Sequence, residues 1–406
     1  MALQSSGSPI SADQIRSEFG ATDGNAVRFG SYRVSQTVSG LINMPLDAGI
    51  PQSNAIKFSD FYSKKLNVVV DYTSATPVTR VTARSDYNAN NSRIVVIGNF
   101  RQRPTSSSGK KIWIHTNGTI GSDANTTNPP ARTYSALLTG SWDSNTELIL
   151  DVGPSGTVIG SGGAGGNGGN ATTTGLNAGG GANLTAGAQG KNGTSAIGIQ
   201  YTPIVLRNRG GIIRSGLGGG GGGGAAYGND RDANIFNETT GRQTQAASGS
   251  GGGGGRGIPA GSGGLAGAAG PSLLGQEYIT NAVAGNSGSS GTILNGGRGG
   301  DSSYLLGANH KAAGGAGGGG SPNGEFGTAA PAPATGTNAT DGDANEGGTG
   351  GNGYAAQDDG AGLATTSGGA GGLGGYAIIA NASSSQVDIQ NTGEISGSQI
   401  YNTSPT

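Results

Sequence analysis

Runs of glycine fill the second half of this 406-residue chain, and a run without side chains can be held together in very few ways. The tracts are Gly162–Asn170, Gly218–Gly224, Gly249–Gly257, Gly296–Gly300, Gly314–Gly320, Gly347–Gly353 and Gly368–Gly375. Glycine-rich chain is ordinarily flexible linker. Here, however, tracts of similar length alternate with longer glycine-poor loops. The chain also closes on a β-type segment, Val387–Gly397, which needs a partner strand from earlier in the sequence. The ordered alternative is a bundle of polyglycine II helices, with three residues per turn, a rise of about 3.1 Å and no internal hydrogen bonds. Every N–H and C=O must then pair with a neighbouring helix. Hydrogen side chains let the helices approach closely enough, and Cα–H···O contacts add to the lattice. Glycine is not in strict every-third register, which excludes collagen.

Of the 86 glycines, 11 fall before Asp151 and 75 from there on, so composition sets a boundary near that residue. Residues 1–150 carry a net +4 and the remainder −5, without the clustered basic face that nucleic acid requires. With no cysteine and two histidines, a disulfide scaffold and Cys- or His-ligated metal sites are excluded. No apolar run is long enough to cross a bilayer, and the N-terminus has no readable signal peptide.

Residues 1–65 read as a short helical arm. Ser11 and Gln14 form a capping box, Ile10 and Ile15 a hydrophobic staple, and Gly20 a stop. A second short amphipathic piece, Ile56–Tyr62, follows. Such small helices bury no core of their own, so Phe19, Phe29, Tyr32, Phe58 and Phe61 are expected to anchor the arm on a larger assembly. Residues 66–152 alternate apolar and polar in short β-branched runs (68–72, 78–82, 93–97 and 111–114) and read as a small antiparallel β domain. Trp113 and Trp142 read as core or edge packing.

A phrase recurs through the chain: an apolar strand, a turn residue, Gly, one residue, Ile. It appears at Ile112–Gly121, at Leu148–Gly160, at Ile204–Ile213 and at Val387–Gly397, with Asn-x-Gly supplying the turn. Stacked copies would bury their apolar faces on one another. Their irregular spacing argues against a simple solenoid, with glycine tracts spliced between copies instead. The fold expected is therefore mainly β, with a short helical arm and a glycine-rich tip domain over residues 153–406.

Two resemblances follow from these residues. The start MALQSSGSPISADQIRSEFG with its I-K-F-S-D-F-Y block resembles the beginning of tail and fibre proteins of tailed bacteriophages, cyanobacterial ones among them. The Asn-x-Gly-x-Ile-x-Gly strands, the seven-glycine run after Ile212-Ile213 and the closing Tyr376–Ile379 strand are similar to the glycine-rich receptor-binding adhesins at tail-fibre tips of T-even-type phages. That resemblance implies polyglycine II layers and loops that contact a host receptor, a surface glycan or an outer-membrane protein. It also implies a place in the virion tail after synthesis in the host cytoplasm, with other tail or virion proteins as partners, and it admits a homotrimer.

Since glycine tracts carry no side-chain chemistry, specificity is expected in the loops. Tyr227, Phe236, Tyr278, Tyr304, Phe326 and Tyr354 are the candidates for stacking on sugars, or alternatively for capping the bundle ends. No catalytic constellation is expected: G-x-G-x-x-G carries no information in such tracts, and neither His115 nor His310 has a nucleophile-elbow context. Glu346 stands where a calcium loop beginning at Asp341 needs glycine, so no metal or cofactor is expected. The rival reading is a purely structural virion part (a collar, tail-tip or head decoration), and a glycine-rich ice-binding or cell-wall protein is a third.

Overall fold

The computed structural model describes Leu3 to Tyr401 apart from residues 21–28, 39, 48–49, 74–77, 99–103, 124–130, 175–180, 202, 236–238, 270–272, 275–277, 307–309, 314, 322–323, 326, 330–338, 344–345 and 358–363. Strands dominate, and the α-helices described are Ala12–Phe19 and Ala83–Ala89. The strands build a parallel solenoid with three faces. Asn67–Tyr72, Lys111–Thr116, Glu147–Val152, Ile204–Asn208 and Val387–Asn391 line one face in that order, with Ile94–Val96 added at the edge. Val78–Thr79, Thr119–Gly121, Thr157–Ile159, Ile212–Arg214 and Glu394–Ser396 form the second. Val81–Thr82, Leu137–Leu138, Ile197–Ile199, Ile378–Ala380 and Gln399–Tyr401 form the third.

The antiparallel domain expected over residues 66–152 is thus corrected. Among the described residues there, only Ile94–Val96 is added antiparallel, and each remaining strand pairs in parallel with its counterpart one coil away. Alternation specifies which side chains face inward but not which strand lies alongside. The recurring phrase is the corner between the first and second faces of successive coils, so the copies do form a solenoid. Their spacing is irregular because the chain makes excursions between the second and third faces. The glycine step at Asp151 falls inside a coil, in the strand Glu147–Val152.

In-register rows make the interior. Val68, Ile112, Leu148, Ile204 and Val387 form one rung ladder, and Val70, Ile114, Leu150, Leu206 and Ile389 the next. Most of these side chains are fully buried, and such apolar area contributes roughly 25 cal/mol per Å². The residues between them point outward: Val69, Trp113, Ile149 and Val205 in one row, Asp71, His115, Asp151 and Arg207 in another.

The N-terminal segment covers part of this outer face. Ser11 caps the first helix, accepting from Gln14 N at 3.1 Å while Gln14 Oε1 accepts from Ser11 N at 2.8 Å, and Gly20 ends it at φ 87°. Phe19, Tyr32 and Phe61 are buried in the same cluster as the solenoid's apolar residues, with ring centroids 5.5–6.0 Å apart. The buried Glu18 carboxylate accepts from Leu66 N at 2.9 Å and pairs with Lys110. Residues expected to anchor an arm elsewhere therefore fasten it to its own body. Phe29 is partly buried and stacks edge-on against Phe58, which remains 44 % exposed.

Candidate functional site: the far end of the glycine tracts

The excursions leave the solenoid after Thr157–Ile159 and Ile212–Arg214 and return at Ile197–Ile199 and Ile378–Ala380. Within them the backbone hydrogen bonds repeat every third residue. Gly216, Gly219 and Gly222 donate to Thr194, Lys191 and Ala188 of one neighbouring tract. Leu217, Gly220 and Gly223 donate to Arg256, Gly253 and Ser250 of a second. Gly221 and Gly224 donate to Gly348 and Gly351 of a third. The distances run from 2.8 to 3.0 Å. A Cβ on Gly219, Gly220, Gly221 or Gly222 would stand 1.9–2.2 Å from a carbonyl oxygen of an adjacent tract, so only glycine fits.

At the outer tracts side chains finish the pairing. Asn167 Oδ1 accepts from Leu265 N at 3.0 Å, Asn170 Oδ1 from Ala268 N at 2.8 Å, and Asn192 Oδ1 from Leu373 N at 2.7 Å. This explains the asparagines that punctuate the tracts.

Near the solenoid the tracts join its strands or turn back. Ile258, at one such turn, accepts from Ser122 N of the second face at 2.8 Å. At the far end the loops carry strands that pair with one another. Ala226–Ile235 and Thr239–Ala247 form a hairpin, and Thr239–Ala247 pairs in parallel with Tyr278–Val283. Tyr304–Leu306, His310–Ala313 and Tyr354–Gln357 make a second sheet, and Ala171–Thr174 with Gly181–Leu184 a third. Strands of these three sheets touch. Loops far apart in sequence are thereby gathered into one β cap.

The sequence candidates fall in or beside this cap. Tyr227 is 5 % exposed, packed with Ala171, Ala225 and Ala246, so its ring seals the junction between tract and cap. Tyr304 and Tyr354 flank Ala313 in one register row beside the tracts, and Tyr278 lies opposite Arg242 further out. Phe236 and Phe326 lie outside the described residues.

His115, one of the two imidazoles, is fully buried on the outer side of the first face, its Nδ1 2.7 Å from Asp151 Oδ2. Burial pushes the Asp151 carboxyl up, but the Arg209 fork, at 2.8 Å to each oxygen, and His115 together hold it below the ordinary carboxylate range. The group is tied up as a structural ion pair.

A stem of paired backbone thus carries strands from distant parts of the sequence into one cap. Residues 76–309 match the family model of the phage tail fibre adhesin Gp38. That span is more than half of the chain, so the protein belongs to this family, which makes it a receptor-binding component of a bacteriophage tail fibre. Comparison with curated proteins and with solved structures finds no match.

Proposed function

We propose that the chain is a non-enzymatic adhesin whose tracts are polyglycine II helices, whose far-end loops hold the host receptor, and whose N-terminal surface docks on the tail. The three-residue hydrogen-bond period supports the first part, since a three-fold helix directs successive N–H groups to three different neighbours. The observation that carries the receptor reading is the pairing of Ala226–Ile235, Thr239–Ala247 and Tyr278–Val283, and of Tyr304–Leu306, His310–Ala313 and Tyr354–Gln357, at the end away from the solenoid. A nine-residue tract such as Gly162–Asn170 would hold that cap about 28 Å out. Exposed Phe58, with Phe29 behind it, supports docking through the N-terminal surface.

The test is binding of the purified full chain to host cells in competition with phage adsorption. The chain blocks adsorption, and a Tyr278→Ala, Tyr304→Ala, Tyr354→Ala variant with an unchanged melt does not. A folded variant that still blocks adsorption fully would remove these tyrosines from the receptor surface. A wild-type chain that neither binds nor blocks would favour a structural spacer instead.

A further inference from the structure

The hairpin of Ser35–Val38 and Leu41–Pro45 lies opposite the first face of the solenoid across an open space. This space is a cavity of about 500 Å³ whose lining residues all belong to the hairpin and the first face, none to the glycine tracts or the cap. Its apolar wall is Leu41, Met44 and Pro45 from the hairpin, with Trp113 and Ile149 from the outward row. Its charged wall is Lys111, Glu147, Asp151, Arg207 and Arg209.

The charges are unevenly matched. Lys111 Nζ is 3.3 Å from Glu147, and Arg209 is spent on both oxygens of Asp151. Arg207 faces no carboxylate within ion-pair distance among the described residues. Its guanidinium lies over the Trp113 ring, 5.2 Å from the centroid, and its buried Nε has no hydrogen-bond acceptor. A buried donor left unmade costs more than a made bond gains, so this position favours an acceptor that brings negative charge. Trp113 is itself held in place, its Nε1 donating to Asn67 Oδ1 at 3.1 Å. Glu147, on the same wall, meets Lys65 at 3.4 Å through one oxygen and Lys111 at 3.3 Å through the other, yet its side chain is 42 % exposed and each oxygen keeps a lone pair for a hydroxyl donor.

An uncommitted guanidinium, an aromatic surface and a carboxylate with spare acceptor capacity, within a space of monosaccharide to disaccharide size, are complementary to a polyhydroxy carboxylate. The geometry points to a second binding site, on the side of the solenoid, for an acidic sugar of the hexuronic type. The carboxylate meets Arg207, the ring lies against Trp113 and the apolar wall, and the hydroxyls face Glu147. An acidic peptide side chain would satisfy Arg207 but leave the acceptors of Glu147 unused. This site does not depend on the receptor role of the tip.

Intrinsic fluorescence tests it, because the chain has two tryptophans and Trp142 is buried outside the cavity against Tyr87. In a Trp142→Phe full-length chain with a cooperative melt, galacturonate or glucuronate at up to about 50 mM gives a saturable change in Trp113 emission, and galactose does not. Arg207→Gln in the same background, checked for an unchanged melt, weakens the response at least about tenfold. No saturable response to either uronate overturns the site. So does an equal response to galactose, an undiminished response in Arg207→Gln, or a response to N-acetyl-glutamate amide in place of the uronates. Should Trp142→Phe fail to fold, wild-type emission with and without Arg207→Gln makes the same decision.

Discussion

Gly221 is the sharpest probe of how the tracts are held. A Cβ there would lie 1.9 Å from Gly369 O, 2.5 Å from its carbonyl carbon and 2.7 Å from Ala370 O. An ordinary contact needs about 3.2 Å or more, so Gly221→Ala must drive the tract 366–375 away by roughly 1.3 Å. The bonds between these tracts, Gly369 N to Gly222 O at 2.7 Å and Gly372 N to Gly219 O at 2.8 Å, would stretch beyond hydrogen-bond length. Each is worth about 1 kcal/mol net, and a buried group left unpaired costs about 1–3 kcal/mol more. Alanine's smaller unfolded-state entropy returns about 0.4–1 kcal/mol. The expected loss is about 3–5 kcal/mol, or a fall in Tm of about 5 °C for a chain of this length. Gly30→Ala is the control, because nothing lies within 4 Å of its Cβ, and it should be neutral or slightly stabilising. Thermal unfolding followed by circular dichroism, with hydrogen exchange at the tract amides, reads both. Coincident melts for Gly221→Ala and the wild type would refute close packing of the tracts.

Two further outcomes follow from the body. Phe19→Ala removes a fully buried ring from the cluster with Tyr32 and Phe61 and should destabilise by about 3–5 kcal/mol in chemical denaturation, whereas Phe58→Ala, on the exposed side, should leave the midpoint nearly unchanged and reduce incorporation into particles. Because Asp151 is held below its unfolded pKa, its ion pair contributes fully above about pH 4 and is lost as pH falls through the folded value; Asp151→Asn should therefore be less stable at pH 7, and its stability should fall less between pH 5 and 2.

Much of the body was legible because its signals are local. Ser11, Gln14 and Gly20 bound the first helix as their capping chemistry requires. The Asn-x-Gly-x-Ile phrase marks real corners, since a turn followed by an inward apolar residue suits each coil. What stayed hidden depends on distant chain. Strand Lys111–Thr116 lies between Asn67–Tyr72 and Glu147–Val152, and no alternation within its own residues announces parallel neighbours. Phe19, Tyr32 and Phe61 looked like anchors because aromatic residues on short helices lack a visible core. Their core is the solenoid itself, supplied by residues from Leu66 onward. The cavity was illegible for the same reason, because Trp113 and Arg207 become neighbours only when coils stack.

The tract bundle also bears on how this protein responds to temperature. Its interior is backbone, with alanine and Leu217 among the few apolar side chains that reach it. Unfolding that region would hydrate mainly peptide groups, which lower the heat capacity by about 0.26 cal/K/mol per Å², against a rise of about 0.45 for apolar surface. The heat-capacity increment per residue is then smaller than in an oil-filled domain, and the stability curve is flatter. The solenoid weakens on cooling as its apolar contacts lose their entropic drive, whereas the hydrogen-bonded stem changes little. The stem that carries the cap strands therefore keeps its stability across a wide range of ambient temperatures, as suits a particle that cannot choose the water in which it meets its host.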